Sequence, residues 1–153
     1  MVAGNGKVGF RMARLRSIVS FALAAALVAG CAANAGPTVT LGDIEVRVFL
    51  ADDDDERSRG LQGYDSLPDG AGMLFVYDDA IVRTFAMKRV AFPIDVLFVG
   101  ENLTITAIEP LDPGDTRLVS SPGPCPYVVE LPQGWAGEQG IAVGDVLGYA
   151  EER

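Results

Sequence analysis

The sequence contains no histidine, and among its 153 residues there are two cysteines and one tryptophan. Without histidine the chain lacks the usual general base, the partner that activates a serine or cysteine nucleophile, and the commonest zinc or iron ligand. Two cysteines cannot build a disulfide framework. We therefore expect neither a metal ion nor another cofactor, and the composition favours a protein that is not an enzyme.

Acidic residues are absent from the first 30 residues, which instead hold Lys7, Arg11, Arg14 and Arg16 ahead of an apolar run at 18–28. A basic segment followed by an apolar one is typical of a secretory signal peptide. The apolar run has 11 residues, whereas a membrane-spanning helix needs roughly 20. The segment is thus predicted to direct export and to be removed.

A cysteine follows this leader at once, in the sequence Leu-Val-Ala-Gly-Cys at 27–31. The arrangement resembles the lipobox of bacterial lipoproteins, in which the cysteine receives diacylglycerol and becomes the new N-terminus. We expect Cys31 to be lipidated and to hold the domain outside the cytoplasm, on the cell membrane or the outer membrane. The alternative is an ordinary signal peptide with a coincidental cysteine. Translation could also begin at Met12, which would shorten the leader.

Basic residues are scarce in the predicted mature chain. The leader takes four of the 12 Lys and Arg residues and none of the 21 acidic ones, which leaves a net charge of −13. Nucleic acid and anionic headgroups require a basic face and are unlikely partners on this ground. We divide the mature chain into a lipidated N-terminus and tether at 31–38, one domain at 39–150 and a tail at 151–153.

Short alternating or continuous apolar segments separated by Gly, Pro, Asp and Asn predict strands in the domain. They lie at 44–50, 73–77, 84–88, 94–99, 103–109, 127–131 and 146–150. The acidic run at 52–56 predicts the capped start of a short helix to about residue 61, and a second helix is expected within 133–139. The fold class is mainly β, a small antiparallel barrel or sandwich of about seven strands with two short helices.

Two polar residues stand beside strongly apolar strand segments. Lys88 is the only lysine of the mature chain, and Asp95 begins an apolar run that continues to Val99. If strands 84–88 and 94–99 form a hairpin, Lys88 and Asp95 could be close. The structural interpretation is an ion pair or an aspartate that caps a turn, and the functional one is the polar centre of a ligand pocket. Arg59, beside a turn, is expected to pair with the Asp run or to contact a ligand. Cys125, between two prolines, is expected to be a small thiol that is buried or at a sheet edge.

Several blocks in a fixed order resemble the domain-of-unknown-function family 192, small exported or lipid-anchored prokaryotic proteins. The blocks lie at 56–63, 72–76, 85–88, 93–99, 127–131 and 140–145, and the resemblance spans about 39–149. It implies a compact β-rich domain and no particular reaction. The polar positions of the family fall on Arg59, Lys88, Asp95 and Glu130. The chain departs from the family pattern at Ala86, where an aromatic residue is common, and at Pro126, where a basic residue is common.

These observations favour a lipid-tethered envelope module that binds a small molecule, a glycan or an envelope protein, with Arg59, Lys88, Asp95 and Glu130 as candidate ligand-binding residues. The alternative is a hydrolase or lyase that uses carboxylates alone, such as Asp95 with Glu130. That alternative requires both carboxyl groups to face one cleft at roughly 5–10 Å.

Overall fold

The computed structural model describes residues 36–149. The predicted signal peptide, Cys31 and the tail lie outside the described residues. Within them the chain forms nine strands and two short helices. In chain order these are β1 (Thr38–Leu41), β2 (Ile44–Ala51), α1 (Asp54–Arg59), β3 (Ala71–Val76), β4 (Thr84–Phe85), β5 (Ile94–Val99), β6 (Ile105–Leu111), β7 (Val119–Ser120), β8 (Tyr127–Pro132), α2 (Trp135–Glu138) and β9 (Leu147–Gly148).

Seven of these strands form one sheet in the order β6-β5-β8-β3-β2-β1-β9, and β4 pairs with β7 in a small second sheet. The two edges of the large sheet meet at one point, where Thr104 and Val146 form a bridge and the Leu147 amide donates to the Leu103 carbonyl at 2.7 Å. The sheet is therefore a curled half-barrel. The expected mainly β fold with two short helices is confirmed.

Three details of the fold differ from the sequence-based expectation. Strands β2 and β3 are parallel, because the chain crosses over through α1 before it re-enters the sheet. Strand β1 was not expected, and it begins at Thr38 within the predicted tether. The Val48 amide donates to the Pro37 carbonyl at 2.9 Å, so the domain begins before residue 39. The two-residue strand β7 was also not expected.

Apolar side chains cover both faces of the sheet, and β5 shows how. All six of its residues are buried, and successive side chains point to opposite faces. Leu97 and Val99 join a cluster that also contains Val39 of β1 and Leu147 of β9. Because this cluster joins residues from both ends of the sheet, it fills the concave face. The alternate residues, such as Phe98, join a second cluster on the convex face.

The helix α1 lies beside the convex face, and its start follows the expectation from the acidic run. The Glu56 amide donates to Oδ1 of Asp53, the N-cap residue, at 2.7 Å. The helix ends at Gly60, whose φ of 48° favours glycine. A Cβ on Gly60 would lie 3.4 Å from the Phe75 ring, which is an ordinary van der Waals contact, so the backbone conformation and not a lack of space favours glycine here.

None of the helices formed by residues 36–149 has the length and apolar character needed to cross a membrane.

Candidate functional site

A pocket of about 250 Å³ opens on the convex face of the sheet. One wall is the end of α1 with the turn after it, the other is the segment 84–90, and the sheet forms the floor. The lining residues are Arg57, Ser58, Arg59, Gly60, Leu61, Gln62, Phe75, Tyr77, Thr84, Phe85, Ala86, Lys88, Val90 and Glu130. We call this the Glu130 pocket. It brings together three of the four candidate residues, Arg59, Lys88 and Glu130.

Glu130 reaches the pocket from the middle of β8. In the sheet register it lies directly opposite Met73 of β3 and Val96 of β5, which are both buried. The residue is 6 % exposed, and its Oε2 atom is enclosed with no hydrogen-bond partner among the described residues. Buried polar atoms nearly always have a partner, so this carboxyl group is an exception that requires an explanation.

Burial also decides the protonation state of Glu130. Desolvation raises its pKa from 4.5 to about 8. An apolar surrounding disfavours the charged form of a carboxylate, and here no other effect opposes it. At pH 7 Glu130 is thus mainly a neutral acid that can donate one hydrogen bond.

The pocket carries three cationic side chains that differ in their partners. Arg57 donates to Asp54 Oδ1 at 2.6 Å and to the Val76 carbonyl at 2.8 Å, which makes it part of the structure. Arg59 and Lys88 are exposed, and neither forms an ion pair within residues 36–149. The expectation that Arg59 pairs with the Asp run is therefore wrong, because the side chain that reaches the run is that of Arg57.

Aromatic side chains form much of the apolar part of the pocket. The Phe85 ring packs edge-on against Phe75, with centroids 5.2 Å apart, and against Phe98 at 5.9 Å. The guanidinium carbons of Arg57 and Arg83 lie 5.2 Å and 3.7 Å from the centroid of the Tyr77 ring. These contacts fix the floor and connect the segment 84–90 to the sheet.

Asp95, the fourth candidate, is not part of this pocket. It alternates with Ile94 and Val96 and therefore points to the concave face, where its Oδ2 accepts a hydrogen bond from the Gly134 amide at 2.8 Å. Burial raises its pKa, and the bond from Gly134 opposes that rise. The conditional hairpin between 84–88 and 94–99 is wrong, since β4 pairs with β7 while β5 pairs with β6 and β8. Lys88 and Asp95 are not brought together.

The same alternation separates the two carboxyl groups of the enzymatic alternative. Val96 lies directly opposite Glu130, and Asp95 is its neighbour along β5. Glu130 therefore shares the convex face with Val96, while Asp95 is on the concave face. A reaction that needs both carboxyl groups in one cleft is contradicted by this placement.

Cys125 is fully buried on the convex side, as expected for a small core thiol. Its Sγ donates to the Tyr127 carbonyl at 3.0 Å, and burial raises the thiol pKa. A thiol with a raised pKa is a poor nucleophile. Among residues 36–149, no group of three or more His, Cys, Asp or Glu residues could hold a metal ion.

A wider depression of about 530 Å³ lies beside the β1–β2 turn, and it has a different character. It is lined mainly by turn residues such as Gly42 and Gly144. Asp145, in its wall, already accepts a hydrogen bond from the Ala142 amide at 2.8 Å. Among the described residues, no buried side-chain atom without a hydrogen-bond partner lies in this depression, so the smaller Glu130 pocket is the stronger candidate site.

Comparison with known proteins bears on the whole domain. The sequence profile of DUF192, described as "Uncharacterized ACR", matches residues 37–149. The chain belongs to the DUF192 family. The DUF192 match begins one residue before β1, in agreement with the observed start of the domain. No curated protein matches the chain.

Two solved structures resemble this DUF192 domain. One is a protein of unknown function from Novosphingobium aromaticivorans DSM 12444, with a TM-score of 0.70 and 29 % identity over 73 % of this chain and 84 % of that one. The other is a candidate transcription regulator from Sinorhizobium meliloti 1021, with a TM-score of 0.64 and 32 % identity over 67 % of this chain and 81 % of that one. They support the fold and leave the function of the DUF192 domain to be inferred from its site.

Sequence reasoning missed Phe85, Ala86 and Tyr77 as pocket residues. The block at 85–88 carried a signal for the first two, since it is one of the segments that resemble DUF192. Tyr77 ends an apolar run and carried no separate signal. Arg57 was visible only as one of two arginines in a short helix, and a helix of six residues is too short for periodicity to choose between them.

Proposed function

We propose that this protein is an exported lipoprotein whose DUF192 domain binds a small molecule in the Glu130 pocket. The observation that carries the proposal is the carboxyl group of Glu130. This residue lines an open pocket, and its enclosed Oε2 atom has no hydrogen-bond partner among the described residues. A ligand with a polar atom at this position would supply the missing partner.

Energetics favour a ligand over a structural role for Glu130. An unpartnered buried polar group costs about 1–3 kcal/mol, while an apolar side chain of similar shape would avoid that cost. The neighbours Met73 and Val96 would accept such a side chain. A carboxyl group at this position lowers the stability of the ligand-free protein, and ligand binding would offset that loss.

The arrangement supports binding more than catalysis. Among residues 36–149, Glu130 is the only residue with a carboxyl group that lines the pocket. The chain contains no histidine, the side chain that most often acts as a general acid or base near pH 7.

The cellular location in this proposal is inferred from the sequence. The leader and the Leu-Val-Ala-Gly-Cys segment support lipidation of Cys31 and retention on a membrane outside the cytoplasm.

The pocket is tested by a fragment screen against the purified protein, with a mixed set of neutral, anionic and cationic fragments and protein-observed NMR as the readout. Bound fragments should shift amide signals of residues in both walls, such as Gln62 and Ala86. Ala86→Trp should abolish these shifts, because the new indole would occupy the pocket mouth. Val143→Trp is the matched control at an exposed position away from the pocket, and it should leave them unchanged. Shifts that survive Ala86→Trp would contradict the site.

The anchor is tested by fractionating cells that express the full chain or Cys31→Ser. The full chain should sediment with membranes and incorporate labelled fatty acid, and Cys31→Ser should do neither. Equal membrane association of both forms would contradict lipidation of Cys31.

A further inference from the structure

Resting on the proposed function, we infer that the ligand of the Glu130 pocket is a small organic carboxylate that carries a neutral hydrogen-bond acceptor at its other end. The carboxylate lies at the mouth, near Lys88 and Arg59, and the acceptor reaches Glu130 at the floor.

The chemistry at the floor of the pocket favours a hydrogen-bond acceptor. Glu130 is enclosed between Met73 and Val96, and no positive side chain among residues 36–149 pairs with it. A carboxyl group in such surroundings keeps its proton and offers an O–H group. A ketone, amide or ether oxygen satisfies that group without bringing a second charge into the apolar part of the site.

The charged side chains at the mouth of the pocket favour an anionic group. Arg59 and Lys88 both line it, both are exposed, and neither has an ion-pair partner within residues 36–149. The third cation, Arg57, is compensated by Asp54. In a mature chain with 21 acidic and eight basic residues, two uncompensated cations on one small pocket attract an anion.

Apolar groups account for much of the remaining wall. Besides the polar residues, the pocket is lined by Phe75, Phe85, Leu61 and Val90. Neither cation lies within 4.0 Å of the Glu130 carboxyl group, so the two polar ends are separate. A volume of about 250 Å³ is below the roughly 300 Å³ at which pockets hold drug-sized ligands. The ligand is consequently a short molecule with an apolar middle.

A carboxylate fits these features better than a phosphate ester. Phosphate groups are usually held by several backbone N–H groups or a helix N-terminus in addition to cations. Here the wall is the C-terminal end of α1, which does not favour a dianion. Two exposed cations suit a single negative charge.

Three matched probes test the two ends of the ligand separately. Para-acetylbenzoate has both groups, para-isopropylbenzoate lacks the acceptor, and para-acetylbenzamide lacks the charge. Titration calorimetry at slightly acidic pH should find para-acetylbenzoate tightest. Loss of the acceptor should weaken binding about fivefold, and loss of the charge about two- to fivefold.

Variants assign each preference to its residue. Glu130→Leu should remove the preference for acetyl over isopropyl, and Glu130→Gln, which keeps a donor, should retain it. Lys88→Met should reduce the preference for the benzoate over the benzamide. Arg47→Met removes an exposed cation away from the pocket and should change neither preference.

The outcomes separate this inference from the proposed function. Equal or tighter binding of para-acetylbenzamide overturns the anionic end, and equal binding of para-isopropylbenzoate overturns the acceptor end. Tighter binding of phenyl phosphate than of benzoate overturns the choice of carboxylate. In these cases the pocket still binds a small molecule and the proposed function stands. If no probe binds while screened fragments do, only the inference fails, and if nothing binds the pocket, both fail.

Discussion

Glu130 lies in a strand segment in which the side chains on either side, Val129 and Leu131, are fully buried on the opposite face. On its own face it is surrounded by Met73, Val96 and the aromatic side chains of the pocket floor. The sequence could identify an acidic residue within an apolar strand, through its resemblance to the family. It could not show that Asp95 and Glu130 point to opposite faces, because the relative direction of two side chains depends on the register between β5 and β8.

The raised pKa of Glu130 predicts a particular pH dependence of stability. The unfolded chain releases this proton near pH 4.5, whereas the folded protein holds it to about pH 8. Raising the pH across this interval therefore favours the unfolded state, by about 1.4 kcal/mol per pH unit for this one group. Glu130→Gln does not titrate, so the free energy of unfolding of the wild type should fall relative to that of Glu130→Gln from about pH 5 to pH 8.

Chemical denaturation at a series of pH values measures this difference. Glu45→Gln, at an exposed position on β2, is the control and should track the wild type closely. A pH-independent difference between the wild type and Glu130→Gln would show that the carboxyl group is not held neutral.

At the scale of elements, the long strands were predicted most closely. The short strands β4 and β9 lie within longer predicted strands, and β1 and β7 were not predicted. β5 was predicted with its observed bounds, because a segment of five apolar residues and one aspartate between proline and glycine leaves few alternatives. The two-residue strands β4 and β7 pair with each other although β5 and β6 lie between them in the chain, and two residues are too few to show a period. Since β4 belongs to one wall of the pocket, the wall could not be predicted from local patterns.

The position of Asp95 predicts a structural role at this scale. Its carboxylate accepts a hydrogen bond from the Gly134 amide and thereby joins β5 to the turn that leads from β8 into α2. Asp95→Ala should lower the free energy of unfolding by about 1–2 kcal/mol, because the amide loses a charged acceptor. Fragment binding in the Glu130 pocket should be unchanged.

Glu101→Ala, at an exposed turn position, is the control for Asp95→Ala and should cost little stability. A loss of fragment binding in Asp95→Ala without a loss of stability would contradict the separation of the two faces.

For the whole molecule, the curled sheet carries two cores with different roles. The concave core joins β5 and β6 at one end of the sheet to β1 and β9 at the other, and it closes the half-barrel. The convex core is covered by short segments, and the pocket opens between two of them. The pattern of short apolar segments and turn residues predicted a mainly β domain, but the choice between a barrel and a sandwich depended on which strands pair over long distances. The parallel pairing of β2 with β3 likewise has no local signal.

In this account the buried carboxyl group of Glu130 serves ligand binding and does not stabilise the fold. The most direct measurement is the free energy of unfolding of Glu130→Met and of the wild type at pH 7 without ligand. Methionine matches the length of the side chain and adapts to the apolar floor. The account predicts that Glu130→Met is more stable by several kcal/mol. The substitution removes an unpartnered buried group that costs about 1–3 kcal/mol, and it also removes the roughly 3 kcal/mol by which ionisation of Glu130 in the unfolded chain favours unfolding at pH 7. A loss of stability of similar size would contradict the account and give Glu130 a structural role.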